Sequence, residues 1–268
     1  MRCGRGLIGW VVLLAVAAVS GVHVANADMV PHQAIYKMSL SSKSPTKQFN
    51  GVTGAAVSQV ERTCAGWVIN EQVVMTMLPV TGGSIEREMN FKARESKDGR
   101  TYFFQSDSIT DGRKEEFTGS ARRDEKGKAE AEFVTPRPFE MPLPKDTRFY
   151  VGMTEWLLDL AKSGKRTGES FAFDGTDDEG AQKVTAFVLP DGIGDEGISG
   201  DKKLLDRKAW QIRLAFFKTE GQSSKPQYEM TLRMLENGII TYYQLVFDDL
   251  IVDQVLQDVL PAKDEQCS

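Results

Sequence analysis

The chain has 268 residues and a formal net charge of -5, with 33 Lys and Arg residues scattered among 38 Asp and Glu residues. A mildly acidic chain without a basic stripe is a poor match for nucleic acid or for an anionic lipid surface. Beyond the first 27 residues one histidine, His32, and two cysteines, Cys64 and Cys267, are too few for an ordinary zinc site, and there is no Gly-x-Ser-x-Gly elbow and no Cys-x-x-Cys pair to carry nucleophilic or redox chemistry.

At the amino end, Arg2 and Arg5 precede an uncharged apolar run from Leu7 to Val19, and Ala25-Asn26-Ala27 closes the segment with small residues. This pattern predicts a signal peptide over residues 1–27, cleaved before Asp28. The rival reading is a retained anchor, but the run falls short of the ~20 apolar residues that span a bilayer. Cys3 stands before the run, whereas a lipidated cysteine would stand after it. Residues 28–268 are therefore expected to be exported as one domain, not membrane-spanning and more acidic than the precursor.

From there the chain reads as short alternating runs, the signature of antiparallel sheet with one wet face. His32, Ala34, Tyr36, Met38 and Leu40 share one side of the first run. Ser41 to Gln48, with Pro45, reads as a loop, and a second strand follows from about Gly51 to Arg62. Gly66 to Leu78 places Trp67, Ile69, Val73, Met75 and Met77 on one face, with Glu71 the only charge among them. Further runs at Glu86–Glu95, Thr101–Ile109, Arg113–Arg123 and Lys128–Val134 are joined by Lys97-Asp98-Gly99, Thr110-Asp111-Gly112 and Glu125-Lys126-Gly127, which carry hairpin-turn chemistry.

Between Thr135 and Arg148 four prolines (Pro136, Pro138, Pro142, Pro144) argue against regular structure and suggest a seam between two halves near 135–148. Met153, Trp156, Leu157, Leu160 and Ala161 then recur at helical spacing, predicting one amphipathic helix over about 153–163 that stops at Gly164. The strand habit resumes with Phe171 and Phe173, an acidic turn through Asp174, Asp177, Asp178 and Glu179, and Val184, Ala186 and Val188 on one face. Pro190 to Lys203 reads as a surface loop. Trp210, Ile212, Leu214 and Phe216 alternate with polar residues, as do Tyr228, Met230, Leu232 and Met234 before the Asn237-Gly238 turn. Ile239 to Phe247 returns, and Leu250 to Leu260 is ambiguous between strand and short helix. The prediction is a mainly β chain of two sheets or two half-barrels.

Chemistry-bearing residues are sparse. The acidic turn lacks the ligand order of a calcium loop. Carboxylates alone could serve a glycosidase, and Glu71, on its apolar face, is the best single candidate, although a structural role weighs more heavily. With Cys3 removed, Cys64 and Cys267 have only each other to pair with, and the alternative is two unpaired thiols.

His32-x-x-x-Tyr36, Cys64-x-Gly66-Trp67, the proline-rich lead into one helix, Phe173-Asp174-Gly175, Tyr228-Glu229-x-x-Leu232, Asn237-Gly238 and the near-terminal Cys267 together resemble the EipB-like cell-envelope integrity family. The resemblance implies a periplasmic antiparallel β-spiral of two opposed half-barrels and a Cys64–Cys267 disulfide. It further implies a role in envelope integrity beside a periplasmic tetratricopeptide-repeat protein, with no enzymatic activity and no cofactor. One departure is the helix entry, Phe149-Tyr150-Val151-Gly152-Met153 against the family's common Phe-Pro-Thr-x-x-His. A non-catalytic protein acting through protein contacts is the leading expectation. The alternative is a carrier that holds a lipid or lipoprotein acyl chain against Trp67, Met75, Met77, Trp210, Phe216, Met230 and Met234.

Overall fold

A computed structural model describes residues 29–44, 48–194, 198–219, 224–247 and 249–267. The leader expected over residues 1–27 lies outside the described residues. The strands are β1 (His32–Leu40), β2 (Phe49–Thr63), β3 (Gly66–Pro79), β4 (Ile85–Ser96), β5 (Thr101–Thr110), β6 (Arg113–Arg123), β7 (Ala129–Thr135) and β8 (Phe139–Leu143), followed by helix α1 (Tyr150–Lys162). After it come β9 (Thr167–Ala172), β10 (Gln182–Pro190), the one-turn α2 (Lys202–Leu205), β11 (Ala209–Lys218), β12 (Tyr228–Leu235), β13 (Ile240–Val246) and β14 (Ile251–Pro261).

All of the strands belong to one sheet, in the order β8-β7-β6-β5-β4-β3-β2-β1-β14-β13-β12-β11-β10-β9. Every neighbour but one is joined to the next by its own hairpin or loop. The exception is β1 with β14, which pairs the two ends of the chain from His32↔Pro261 to Leu40↔Val252. The sheet is therefore continuous where two sheets were the other expectation, and it is not closed: β8 and β9 form its two edges.

Three clusters fill the inside. β3 to β8 enclose an aromatic core in which Phe104 meets Phe133 at 5.1 Å and Phe173 at 5.5 Å, while Tyr102 stacks on Phe149 at 5.0 Å. α1 lays Leu157, Leu158, Leu160 and Ala161 over the inner face of β10, β11 and β12. Burying large aliphatic side chains of this kind stabilises by about 1.5–3 kcal/mol each. Between these lies a third cluster on β1, β2, β12, β13 and β14, which includes no residue of α1 and against which Leu204 and Leu205 of the short α2 pack.

Three expectations change. The proline-rich seam contains a strand, β8, and Pro142 is tolerated in it because an edge strand needs no donor on its open side. α1 starts at Tyr150 rather than Met153, drawn back by the buried Val151. The segment Leu250 to Leu260 is strand, β14, held on both sides by β1 and β13.

Candidate functional site

In the middle of the sheet the inner-facing residues form rungs across the strands. Glu71 of β3 lies opposite Ser58 of β2 and Phe91 of β4. The next rung outward holds Val73, Ala56 and Tyr36, then Met75 with Met38 and Arg87, and last Met77 with Val52. From the far side β13 and β12 bring Tyr243, Leu245 and Met230 into the same space. The result is a cavity of about 640 Å³, within the range that suits a small organic ligand. From Glu71 to Met77 the strand rise gives a depth of roughly 20 Å.

The inner end is closed by the buried rung of Ile69, Val60 and Ala93. Tyr150, the first residue of α1, reaches down beside Phe91, with ring centroids 6.1 Å apart, and donates its hydroxyl hydrogen to Glu71 Oε1 at 2.5 Å. Ser58 Oγ donates to the same oxygen at 3.1 Å. Burial pushes the Glu71 carboxyl above its ordinary range, against these two donors, which favour the anion. One rung outward, Tyr36 donates to the Ile240 carbonyl at 2.9 Å and meets Tyr243 edge-on at 5.7 Å. At the other end the cavity opens beside the exposed Arg87 and Phe247. The helix entry that departs from the family's common sequence is thus the segment that delivers Tyr150 to Glu71.

Of the apolar residues singled out from the sequence, Met75, Met77 and Met230 line this cavity. Trp210, Phe216 and Met234 are packed beneath α1, and Trp67 borders the aromatic core under the Arg62 guanidinium, 4.8 Å from its ring. The strand period identifies the inner face of each strand, but not which stretches of that face α1 covers. Tyr36, Tyr150 and Tyr243 were missed because they come from three distant segments. Glu71 on an apolar face was the one signal visible in the sequence.

Cys64 and Cys267 form a disulfide with Cα atoms 5.5 Å apart. It pins the carboxyl tail beside β2, where the Arg62 N–H donates to the Lys263 carbonyl at 3.0 Å and the Glu265 N–H donates to the Arg62 carbonyl at 3.1 Å. Among the described residues no group of three or more His, Cys, Asp or Glu is placed to share a metal ion. Within the same residues, no helix is long and apolar enough to cross a membrane.

The EipB-like family model matches residues 23–263. The chain belongs to the EipB-like family. The cell envelope integrity protein EipB of Brucella abortus (strain 2308) is 24% identical over 216 residues, covering 79% of this chain and 76% of that protein. The crystal structure of a beta-barrel-like protein from Brucella abortus, described as a domain of unknown function, matches with a TM-score of 0.78 at 21% identity. That match covers 87% of this chain and 98% of the other, and the likeness bears on the fold.

Proposed function

We propose that this chain is a non-catalytic periplasmic protein that supports cell-envelope integrity, exported by cleavage of residues 1–27, and that it works by holding the apolar chain of a lipid or lipoprotein between its two half-barrels. The observation that carries the reading is the cavity of about 640 Å³ with its methionine-rich wall of Met38, Met75, Met77, Met89 and Met230. Flexible, polarizable thioethers adapt to chains of different length and unsaturation. The name of the Brucella relative supports the envelope role. Native mass spectrometry of protein purified without detergent tests it: retained lipid mass is expected, and it should be lost when Ala56→Trp fills the cavity. Protein that is free of lipid and takes up none from extracted envelope lipids would refute the carrier reading.

A second reading, contact with a periplasmic tetratricopeptide-repeat protein, is favoured by large apolar side chains on the outer surface, with Phe103 57% and Val134 62% exposed. Crosslinking in envelope extracts should recover that partner, and Phe103→Glu should weaken the capture. Equal capture by Phe103→Glu and the parent protein would remove this surface from the reading.

A further inference from the structure

An apolar cavity that served only to hold a hydrocarbon tail would be expected to end in apolar residues. This one ends in a carboxyl group, and the hydrogen bonds there are unevenly distributed. Ser58 and Tyr150 both donate to Oε1 of Glu71. No enclosed side-chain polar atom among the described residues lacks a hydrogen-bond partner, so Oε2, which takes none from the protein, is the oxygen that faces the cavity.

From this geometry we infer that the cavity takes a single-chain lipid polar end first, with an uncharged oxygen group, such as the hydroxyl of a long-chain alcohol, seated on Glu71 Oε2 and the hydrocarbon running outward past Met75 and Met77. The inference rests on the carrier reading above and adds orientation and head-group class. Burial raises the Glu71 carboxyl and so works against a bare anion there, while Oε2 takes no hydrogen bond from the protein. Beside Oε2 the wall is apolar apart from hydroxyl groups, chiefly the phenols of Tyr36 and Tyr243. A ligand hydroxyl, which both donates and accepts, pairs with Oε2 in either protonation state and turns its other side to those phenols. A sulfate or phosphate head would bring a bare anion beside a carboxyl group with no cation at that depth, since Arg87 stands two rungs outward. An anionic amphiphile should therefore enter tail first and keep its head at the mouth.

The test compares binding of decanol, decyl sulfate and decylammonium to full exported protein stripped of lipid, by competition with a fluorescent fatty-chain probe. Decanol should bind most tightly. In Glu71→Leu its affinity should fall about tenfold, the loss of one buried hydrogen bond, whereas decyl sulfate, seated tail first, should lose no affinity in Glu71→Leu and should weaken in Arg87→Ala. Probe binding itself reports an intact cavity in each variant. Decanol affinity unchanged in Glu71→Leu, or a preference for decyl sulfate or decylammonium in the parent protein, would overturn the polar-end-first orientation while leaving the carrier reading standing. Failure of the parent protein to bind the probe or any of the amphiphiles would overturn both.

Discussion

Gly175 and Gly112 share a backbone φ of +78°, in the left-handed region that a residue with a Cβ enters at a cost of roughly 1–2 kcal/mol. Their surroundings differ. A Cβ on Gly112 would meet nothing within 4 Å, whereas one on Gly175 would fall 2.3 Å from the Phe104 ring. Phe104 cannot retreat, because Phe133 and Phe173 pack on it at 5.1 and 5.5 Å. Gly175→Ala should therefore destabilise by about 1–3 kcal/mol more than Gly112→Ala, the usual cost of overpacking a filled core. Urea unfolding of the two variants measures the difference, and equal midpoints would show that the ring yields freely. Phe173-Asp174-Gly175 was conspicuous in the sequence, and the structure gives its physical content. Phe173 enters the aromatic core, the Asp174 carbonyl accepts from the Tyr102 hydroxyl at 3.0 Å, and Gly175 lets the turn come close enough for both. None of those partners could be read locally, since Tyr102 and Phe104 lie on a strand in the other half of the chain.

At the scale of elements, α1 shows what periodicity captures and what it leaves out. Its apolar stripe was legible, and so was its packing on sheet, but its first turn was not, because the group that satisfies it comes from β4. Phe149 at the N-cap has no side chain able to accept a hydrogen bond. Instead the carboxyl of Glu95, only 3% exposed, accepts from the Val151 N–H at 2.7 Å and the Gly152 N–H at 3.0 Å. Burial pushes this carboxyl up to about 7, overriding those two donors and helped by the nearby negative charge of Glu155. An acid raised in the folded state binds a proton there that the unfolded chain has already released, so its contribution to stability is complete below the ordinary value of 4.5 and is lost as pH climbs through about 7. The span corresponds to about 3 kcal/mol. Glu95→Gln removes the titration while keeping the shape, so the variant should gain about 2–3 kcal/mol relative to the parent between pH 5 and pH 8. Other groups that titrate there, Asp177 among them, are common to both proteins and cancel in the comparison. Parallel pH profiles of urea stability for the two proteins would remove Glu95 as the source. The strand β8 was hidden for a related reason: proline was read as a breaker, and it breaks only where its missing N–H would have been needed.

For the molecule as a whole, the individual hairpins could be read from their turns, but the step that makes one sheet of them could not. Each hairpin is encoded by adjacent residues, whereas the β1–β14 pairing joins residues more than two hundred positions apart, and no local pattern specifies it. The cysteines were the sequence's only pointer to that closure. In the structure the Cys64–Cys267 bond, with a separation of 203 residues, lies on the same side of the molecule as the start of β1 and the end of β14. Its effect falls mainly on the unfolded chain, which it prevents from separating its ends; for a loop of this length the chain-entropy limit is about 5 kcal/mol. Replacing both cysteines by serine should lower stability by about 2–5 kcal/mol, with a fall in Tm of roughly 10 °C for a chain of this size. The loss should also be graded in space. The amides of Arg62 and Glu265, which hold the tail to β2, should exchange hydrogen much faster in the serine variant, while amides in the middle of β14, held by β1 and β13, should follow only the global loss. Uniform loss of protection across β2 and β14 would mean that the covalent tie also maintains the β1–β14 seam. Unchanged melting with fast tail exchange would mean that the seam alone holds the two halves together and the disulfide merely secures the last few residues.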